Sequence, residues 1–597
     1  MAAFTTRPEI TGTFGVATST HWIASAVGFG LLEKGGNAFD AAVAMGFVLQ
    51  VVEPHLNGPG GDLPAIIHSA REDRIRVLCA QGPAPAGATI AHYRDQGLTL
   101  IPGSGLLATV IPGAFDGWLL MLRDYGSLPL RDVLEPAIHY ARHGHPLLDR
   151  VSDSIASLAD LFRHEWPSSA ATWMPGGAVP TGGRPFRNPV LADTWDRILR
   201  EAETARGREA QVDRARDCIY RGFVAETIDA YLREACVMDG AGARRKGVLT
   251  GQDMAGWQAH WEDPLTLDHD RWTLCKPGPW SQGPVLLQSL ALLREAGIAD
   301  MEPGSAAYIH TVIEAIKLTY ADREAYYGDP DHFDIPMEHL LSPAYAADRA
   351  ALITDRASFD QRPGRVPGLD HLARAAIDRA AARHEAEVGS DGGEPTMAHL
   401  SNRRGDTVHV DVIDRWGNMV SATPSGGWLQ SSPVVPGLGF ALNSRAQMFW
   451  LDEGLPTSLA PGRRPRTTLS PSLALRDGKP WLAFGTPGGD QQDQWQLAYF
   501  LRLAHGGQNL QEAIDAPLYH SMHFSASFYP RQANPGRMMI EPSAGADVIA
   551  DLRARGHEIE VSEPWSIGRL TAAARDPDGM LRAAATPRLM QAYAVGR

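Results

Sequence analysis

Cysteine is scarce in this sequence. Cys79, Cys218, Cys236 and Cys275 are the only four, and none sits in a CxxC pair. Scattered thiols without clustered histidines argue against a zinc or disulfide framework and read as reduced, mostly buried residues. No run of 18 apolar residues occurs, so no membrane span is expected. The opening residues, MAAFTTRPEITGTFGV, lack a basic run followed by an apolar one, so no signal peptide is expected and the location expected is cytoplasmic. Positive charge is also short. The 55 Lys and Arg face 69 Asp and Glu, a net charge of −14, which speaks against nucleic acid or a membrane surface as partner. The HExxH, GxSxG, Walker and GxGxxG motifs are missing too, which removes the common metallopeptidase, serine-hydrolase, nucleotide and dinucleotide readings.

What is present is a globular chain of 597 residues, 44% hydrophobic, enough for two or three domains or one large layered α/β unit. An apolar helix is expected over 22–32, closed by Lys34-Gly35-Gly36-Asn37, and a second from Asp40 to about Val52. Asn57-Gly58-Pro59-Gly60-Gly61 is a glycine loop expected to need positive φ, and 63–80 alternates like strands. Helices are expected over 130–144, 191–206, 220–235 and 305–326, and the Ala- and Arg-rich 345–386 reads as helical. A polar breaker stretch at about 387–406 reads as mobile. Thr407 to Ile413 then alternates with β-branched residues and reads as a strand, turning at Arg415-Trp416-Gly417-Asn418 and returning over Met419 to Thr423. A second hairpin is expected over 472–485, a helix over 547–556 and strands within 557–586.

Thr407 carries the chemistry. A threonine hydroxyl is a weak nucleophile unless a base takes its proton, and a free α-amine, with a pKa near ~8, is such a base. One residue supplies both groups only if the Asp406–Thr407 bond is cut. The same hydroxyl could make that cut by attacking the Asp406 carbonyl. On spacing alone Thr407 reads rather as a β-propensity threonine at the head of a strand, since threonines start many strands.

Eight short stretches, in order, resemble the γ-glutamyltransferase family of N-terminal nucleophile hydrolases along nearly the whole chain. They are Gly35-Gly36-Asn37-Ala38-Phe39-Asp40-Ala41-Ala42, Val51-Val52-Glu53-Pro54-His55, Ile111-Pro112-Gly113, Tyr320-Ala321-Asp322-Arg323, Gly328-Asp329-Pro330, Asp414-Arg415-Trp416-Gly417-Asn418, Leu469-Ser470-Pro471 and Gly485-Thr486-Pro487-Gly488-Gly489. The resemblance implies an α+β fold, a four-layer αββα sandwich, and a proenzyme cut between Asp406 and Thr407. The products would be a large subunit 1–406 and a small subunit 407–597 that stay associated, and a dimer of such pairs is compatible with this. It implies Thr407 as nucleophile and base, two residues before His409. Gly488 and Gly489 would form the oxyanion hole, Ser425 would be a supporting hydroxyl, and Thr467 and Thr468 would line the pocket. No metal or cofactor is implied, and the partner is a small-molecule amide.

The match departs at the substrate grip. The family's carboxylate-binding arginine corresponds to Gln81, and its ammonium-binding Gln and Asp correspond to Arg445 and Met448. An asparagine ligand becomes Gly427. Arg445 would repel an ammonium and attract a carboxylate, with bidentate geometry available. Amides carrying a carboxylate but no neighbouring ammonium, such as oxamate or glutaryl amides, are therefore favoured over γ-glutamyl compounds. The short segment 451–464, where many relatives carry a longer lid loop, favours water as acceptor. The alternatives are a genuine γ-glutamyl (glutathione) hydrolase or transpeptidase, an uncleaved binding protein of the same fold, and Arg445 as half of a structural ion pair. Arg463-Arg464-Pro465-Arg466 reads as a paired or solvated turn, and His520 and His523 as packed or exposed residues without a third metal ligand.

Overall fold

The structure is a computed structural model that describes residues 4–385 and 407–597. The stretch expected to be mobile, about 387–406, and Asp406 with it, lie outside the described residues.

Fourteen strands build two seven-stranded sheets. In chain order they are β1 (Ile10–Gly12), β2 (Gly15–Ser19), β3 (Leu63–Ser69), β4 (Arg74–Ala80), β5 (His260–Glu262), β6 (Leu265–His269) and β7 (Trp272–Lys276), then β8 (Val410–Asp414), β9 (Met419–Ala422), β10 (Ser472–Arg476), β11 (Lys479–Gly485), β12 (Thr571–Arg575), β13 (Leu581–Ala585) and β14 (Tyr593–Gly596). One sheet runs β1-β13-β12-β11-β10-β7-β6 and the other β14-β2-β8-β9-β3-β4-β5. Every pairing in both is antiparallel, and each sheet mixes strands from before and after residue 406.

The sheets stack on an apolar layer. Val16, Ile66, Val77 and Ile413 from one meet Leu473, Ala483, Ala573 and Leu581 from the other. Helices cover both outer faces: α1 (Trp22–Glu33), α2 (Ala38–Val52), α3 (Ala114–Tyr125), α4 (Leu130–His143) and α5 (Pro189–Ala202) on the β8 side, and α6 (Pro284–Glu295), α7 (Ala306–Tyr326) and α8 (Gln492–Ala504) on the β11 side. This is the four-layer αββα sandwich expected. No described helix is long and apolar enough to cross a membrane.

α2 shows how sequence sets position. All of its residues are buried, because it packs on β8 with one face and on α1 and α4 with the others. A helix apolar all round is stable only in such a place. Asn37 starts it: its side chain accepts from the Phe39 and Asp40 N–H groups, and the Asp40 carboxylate returns a bond to the Asn37 N–H.

Several expectations need correction. The helix expected over 220–235 is Phe223–Glu234, preceded by a separate helix, Arg208–Tyr220, whose polar face hid its periodicity. The segment expected to be helical over 345–386 is two helices, Pro343–Ala350 and Asp370–Glu385. Pro363-Gly364 and Pro367-Gly368 lie between them and break the helix, Gly368 at positive φ. The strand expected from Thr407 begins at Val410; Thr407 itself makes an isolated antiparallel bridge to Ser425.

Candidate active site

Alternation along β8 places the site. Val408, Val410 and Val412 point into the helical layer. His409 and Asp411 point the other way, between the sheets, and are fully buried. His409 bonds Thr423 Oγ1 through Nδ1 at 2.9 Å and Asp411 Oδ1 through Nε2 at 2.9 Å. The other Asp411 oxygen accepts from Thr571 Oγ1 at 2.7 Å on β12. A polar network thus crosses the sandwich beneath Thr407, with each charge and hydroxyl partnered, as burial demands. Gly485 makes room for it: a Cβ there would sit 2.3 Å from His409 Cε1.

Thr407 is buried, and its hydroxyl donates to Ser425 Oγ at 3.2 Å. Its carbonyl accepts from Arg569 Nη2 at 2.7 Å. The Arg569 N–H in turn donates to Thr486 Oγ1 at 3.1 Å, which ties Thr407 to the turn carrying Gly488 and Gly489. Both glycines have positive φ, 131° and 55°, and the Gly489 carbonyl is held by Gln282 Nε2 at 3.0 Å. A cleft opens beside Gly489, walled by Phe524, Phe528 and Tyr529. The next residue, Asp490, anchors the cleft wall by accepting from Ser527 N and Oγ at 2.8 and 2.6 Å.

The family model for γ-glutamyltranspeptidase matches residues 24–596. The chain belongs to the γ-glutamyltranspeptidase family. Among relatives, the glutathione hydrolase-like YwrD proenzyme of Bacillus subtilis is 30% identical, over 97% of this chain and 98% of that one. The oxamate amidohydrolase proenzyme of Klebsiella pneumoniae is also 30% identical, over 96% and 97%. Of solved structures, LmbA2991HD is 52% identical with a TM-score of 0.92, covering 100% of both chains. Cephalosporin acylase from Bacillus halodurans is 25% identical with a TM-score of 0.82, covering 100% of this chain and 98% of that one. The chain is thus an enzyme of the N-terminal nucleophile hydrolase class.

The residues at which this family member departs lie in the same region. Arg445 is fully buried, and its Nε and Nη2 both donate to Asp62 Oδ1, at 3.1 and 2.9 Å. Asp62 and Ser425 exchange backbone hydrogen bonds, so this pair sits beside the partner of Thr407. Asp62 therefore takes the edge of the guanidinium that was expected to grip a carboxylate bidentately. Nη1, also buried, has no acceptor among the described residues, and the guanidinium lies 4.9 Å from the Trp428 ring centre. Met448 packs with Trp428 and Phe528 in an apolar cluster. Gly427 has φ of 63°, and a Cβ there would lie 2.7 Å from the Gly61 nitrogen, so the glycine loop fills the space a side chain would need.

Gln81, Thr467 and Thr468 are placed through other partners. Gln81 is buried just after β4, with Nε2 3.4 Å from the Gly82 carbonyl and Oε1 without a partner among the described residues. Thr467 N–H donates to the Trp280 carbonyl at 2.8 Å, and the buried Thr468 hydroxyl has no partner among the described residues. The arginine run is a paired turn: Arg464 bonds Asp329 and Glu262, and Arg466 bonds Glu324. His520 and His523 are packed inside, and burial lowers both to about 3. Asp62, Asp490 and Arg569, and any role for Glu53 beyond its motif, were not evident from the sequence. Glu53 and Asp62 flank the glycine loop, a signal that was available; Arg569 follows Gly568 in a stretch without pattern.

Proposed function

We propose that this γ-glutamyltranspeptidase-family enzyme is made as a proenzyme, cut between Asp406 and Thr407, and then hydrolyses an amide through an acyl ester on Thr407. The large and small subunits stay together because both sheets interleave strands from each. The Thr407 hydroxyl attacks the amide carbonyl while its α-amine takes the proton. The oxyanion is held by the Gly488 and Gly489 N–H groups, and the amine passes its proton to the leaving nitrogen. Water, deprotonated by the same amine, resolves the ester. The observation that carries this reading is the Thr407–Ser425 hydrogen bond, set over the His409–Asp411 network and joined through Arg569 to the Gly488-Gly489 turn.

The acyl donor proposed bears a carboxylate and no neighbouring ammonium, as in oxamate or glutaryl amides. Three features support this. Arg445 stands where the family grips the ammonium, Met448 supplies no acid, and Gly427 supplies no side chain. Asp62 fixes the orientation of Arg445 and leaves Nη1 as its one buried unpartnered donor. Relatives named as an oxamate amidohydrolase and a cephalosporin acylase are compatible with acyl groups other than γ-glutamyl.

A denaturing gel of purified protein tests the first claim. Two bands, and one band for Thr407→Ala, are expected; cleavage at 406 in Thr407→Ala would overturn the mechanism. Steady-state kinetics on γ-glutamyl, glutaryl and oxamate amides test the second, and a strong preference for the γ-glutamyl compound would overturn it.

A further inference from the structure

Arg569 has no place in the family resemblance, yet its side chain bonds the Thr407 backbone. Its residue is 2% exposed. Nη2 reaches the Thr407 carbonyl at 2.7 Å, and Nη1 lies 3.7 Å from Glu53 Oε1. Glu53, at the end of α2, is itself fully buried, accepts from Thr20 Oγ1 at 2.6 Å and is also bonded by Gln591. Thr20 N–H donates to the His409 carbonyl at 3.3 Å, so this set closes around the same residues as the nucleophile.

We propose that Arg569 is a positioning residue that holds Thr407 in register with the Gly488-Gly489 turn and whose charge keeps the Thr407 α-amine in its neutral, basic form. The inference rests on the reading of Thr407 as nucleophile and base. Covalent geometry keeps an amine nitrogen within about 3.6 Å of its own carbonyl oxygen. The guanidinium is therefore within roughly 6 Å of the amine, the range over which a like charge disfavours the protonated form. The charged or titratable groups facing this point include Glu53 at the end of α2, Arg150, which acts on Glu53 electrostatically, His409 just before β8, Asp411 on β8, and the Asp62–Arg445 pair beyond Ser425. Glu53 opposes Arg569, but it sits on Nη1, the nitrogen away from Thr407. The net effect of the pair at the amine is that of the nearer cation, and it lowers the amine's pKa.

The sign follows for each variant. Arg569→Gln removes the cation, so the amine holds its proton to higher pH. The acid limb of the kcat/KM profile should move up by about one pH unit, the size expected for a partly screened neighbouring charge. Arg569→Lys keeps the charge but loses the planar fork; its limb should stay in place while kcat falls several-fold. Glu53→Gln removes the countercharge and should move the limb to lower pH. The measurement is kcat/KM against pH on whichever amide the cleaved protein turns over, with KM followed separately and expected to change little.

Equal profiles for Arg569→Gln and the parent would overturn the proposal, as would equal effects of Gln and Lys. Where Arg569→Gln fails to fold or to be cleaved, Glu53→Gln decides alone, and an unmoved acid limb overturns the proposal. Thr407→Ala in the same assay separates the two claims. Turnover retained there defeats the nucleophile reading, whereas loss of turnover there with unmoved limbs elsewhere defeats only the role of Arg569.

Discussion

Arg445 donates twice to a single oxygen of Asp62, and both side chains are shielded from water. Removing one partner of such a pair leaves an uncompensated buried charge. Asp62→Ala is expected to destabilise the protein by about 3–5 kcal/mol in urea unfolding. The double variant Asp62→Ala with Arg445→Met removes both charges and should recover most of that loss. It should not recover turnover of carboxylate-bearing amides. A double variant as active as the parent would show that Arg445 has no part in substrate binding.

Restoring the family's asparagine should not restore its specificity. Gly427→Asn places a Cβ 2.7 Å from the Gly61 nitrogen and 2.9 Å from the Gly60 carbonyl carbon, contacts made by backbone that cannot swing aside. Asparagine tolerates positive φ, so the clash and not the dihedral is the obstacle. The expected result is a lower melting temperature and no gain in γ-glutamyl turnover, read by calorimetry and steady-state kinetics.

The Gly488-Gly489 turn should be equally intolerant, for a different reason. At Gly488 a Cβ would approach Trp495 Cζ3 to 2.3 Å at a φ of 131°. Gly488→Ala should displace the N–H groups and lower kcat on the order of 10²–10³-fold, the loss typical of an oxyanion donor. Unaltered kcat would remove these groups from the mechanism.

Acid should destabilise the fold before any carboxylate of ordinary pKa is protonated. Burial lowers His520 and His523 to about 3 and, with a coulombic contribution from His145, His21 to about 3 as well. In the unfolded chain each returns to near 6.5, so between 6.5 and 3 the unfolded state binds more protons. Stability is therefore complete above about 6.5 and falls as pH drops toward 3. His520 lies edge-on to Trp495 at 5.4 Å, and neither ring nitrogen has a partner among the described residues. His520→Phe should flatten the dependence of melting temperature on pH between 7 and about 5. An unchanged slope would show that His520 does not contribute.

Much of this protein was legible along the chain. The alternation from Thr407 to Ile413 marks a strand, and an extended chain puts the valines and His409 on opposite faces because strand side chains alternate whatever they pack against. Gly488-Gly489 marked its turn because positive φ is favoured only by glycine, whereas Gly58, Gly60 and Gly61, expected to need positive φ, do not adopt it and are glycines because backbone packs where a Cβ would stand. The ordered stretches carried the family and, with it, the four-layer fold.

What the chain could not show was which charges meet. Asp62 and Arg445 are 383 residues apart, and Arg569 lies 162 residues beyond Thr407. Periodicity reports whether a position is buried, not which distant residue will neutralise it there. Arg445 as a free cation and Arg445 as half of an ion pair were both consistent with the sequence. Packing of the glycine loop against residues 425–427 decided between them, because it delivers Asp62 to the guanidinium. Arg569 is the sharper case. Nothing local distinguishes it, and only the closing of β12 onto the sheet facing β8 brings its guanidinium to the carbonyl of Thr407.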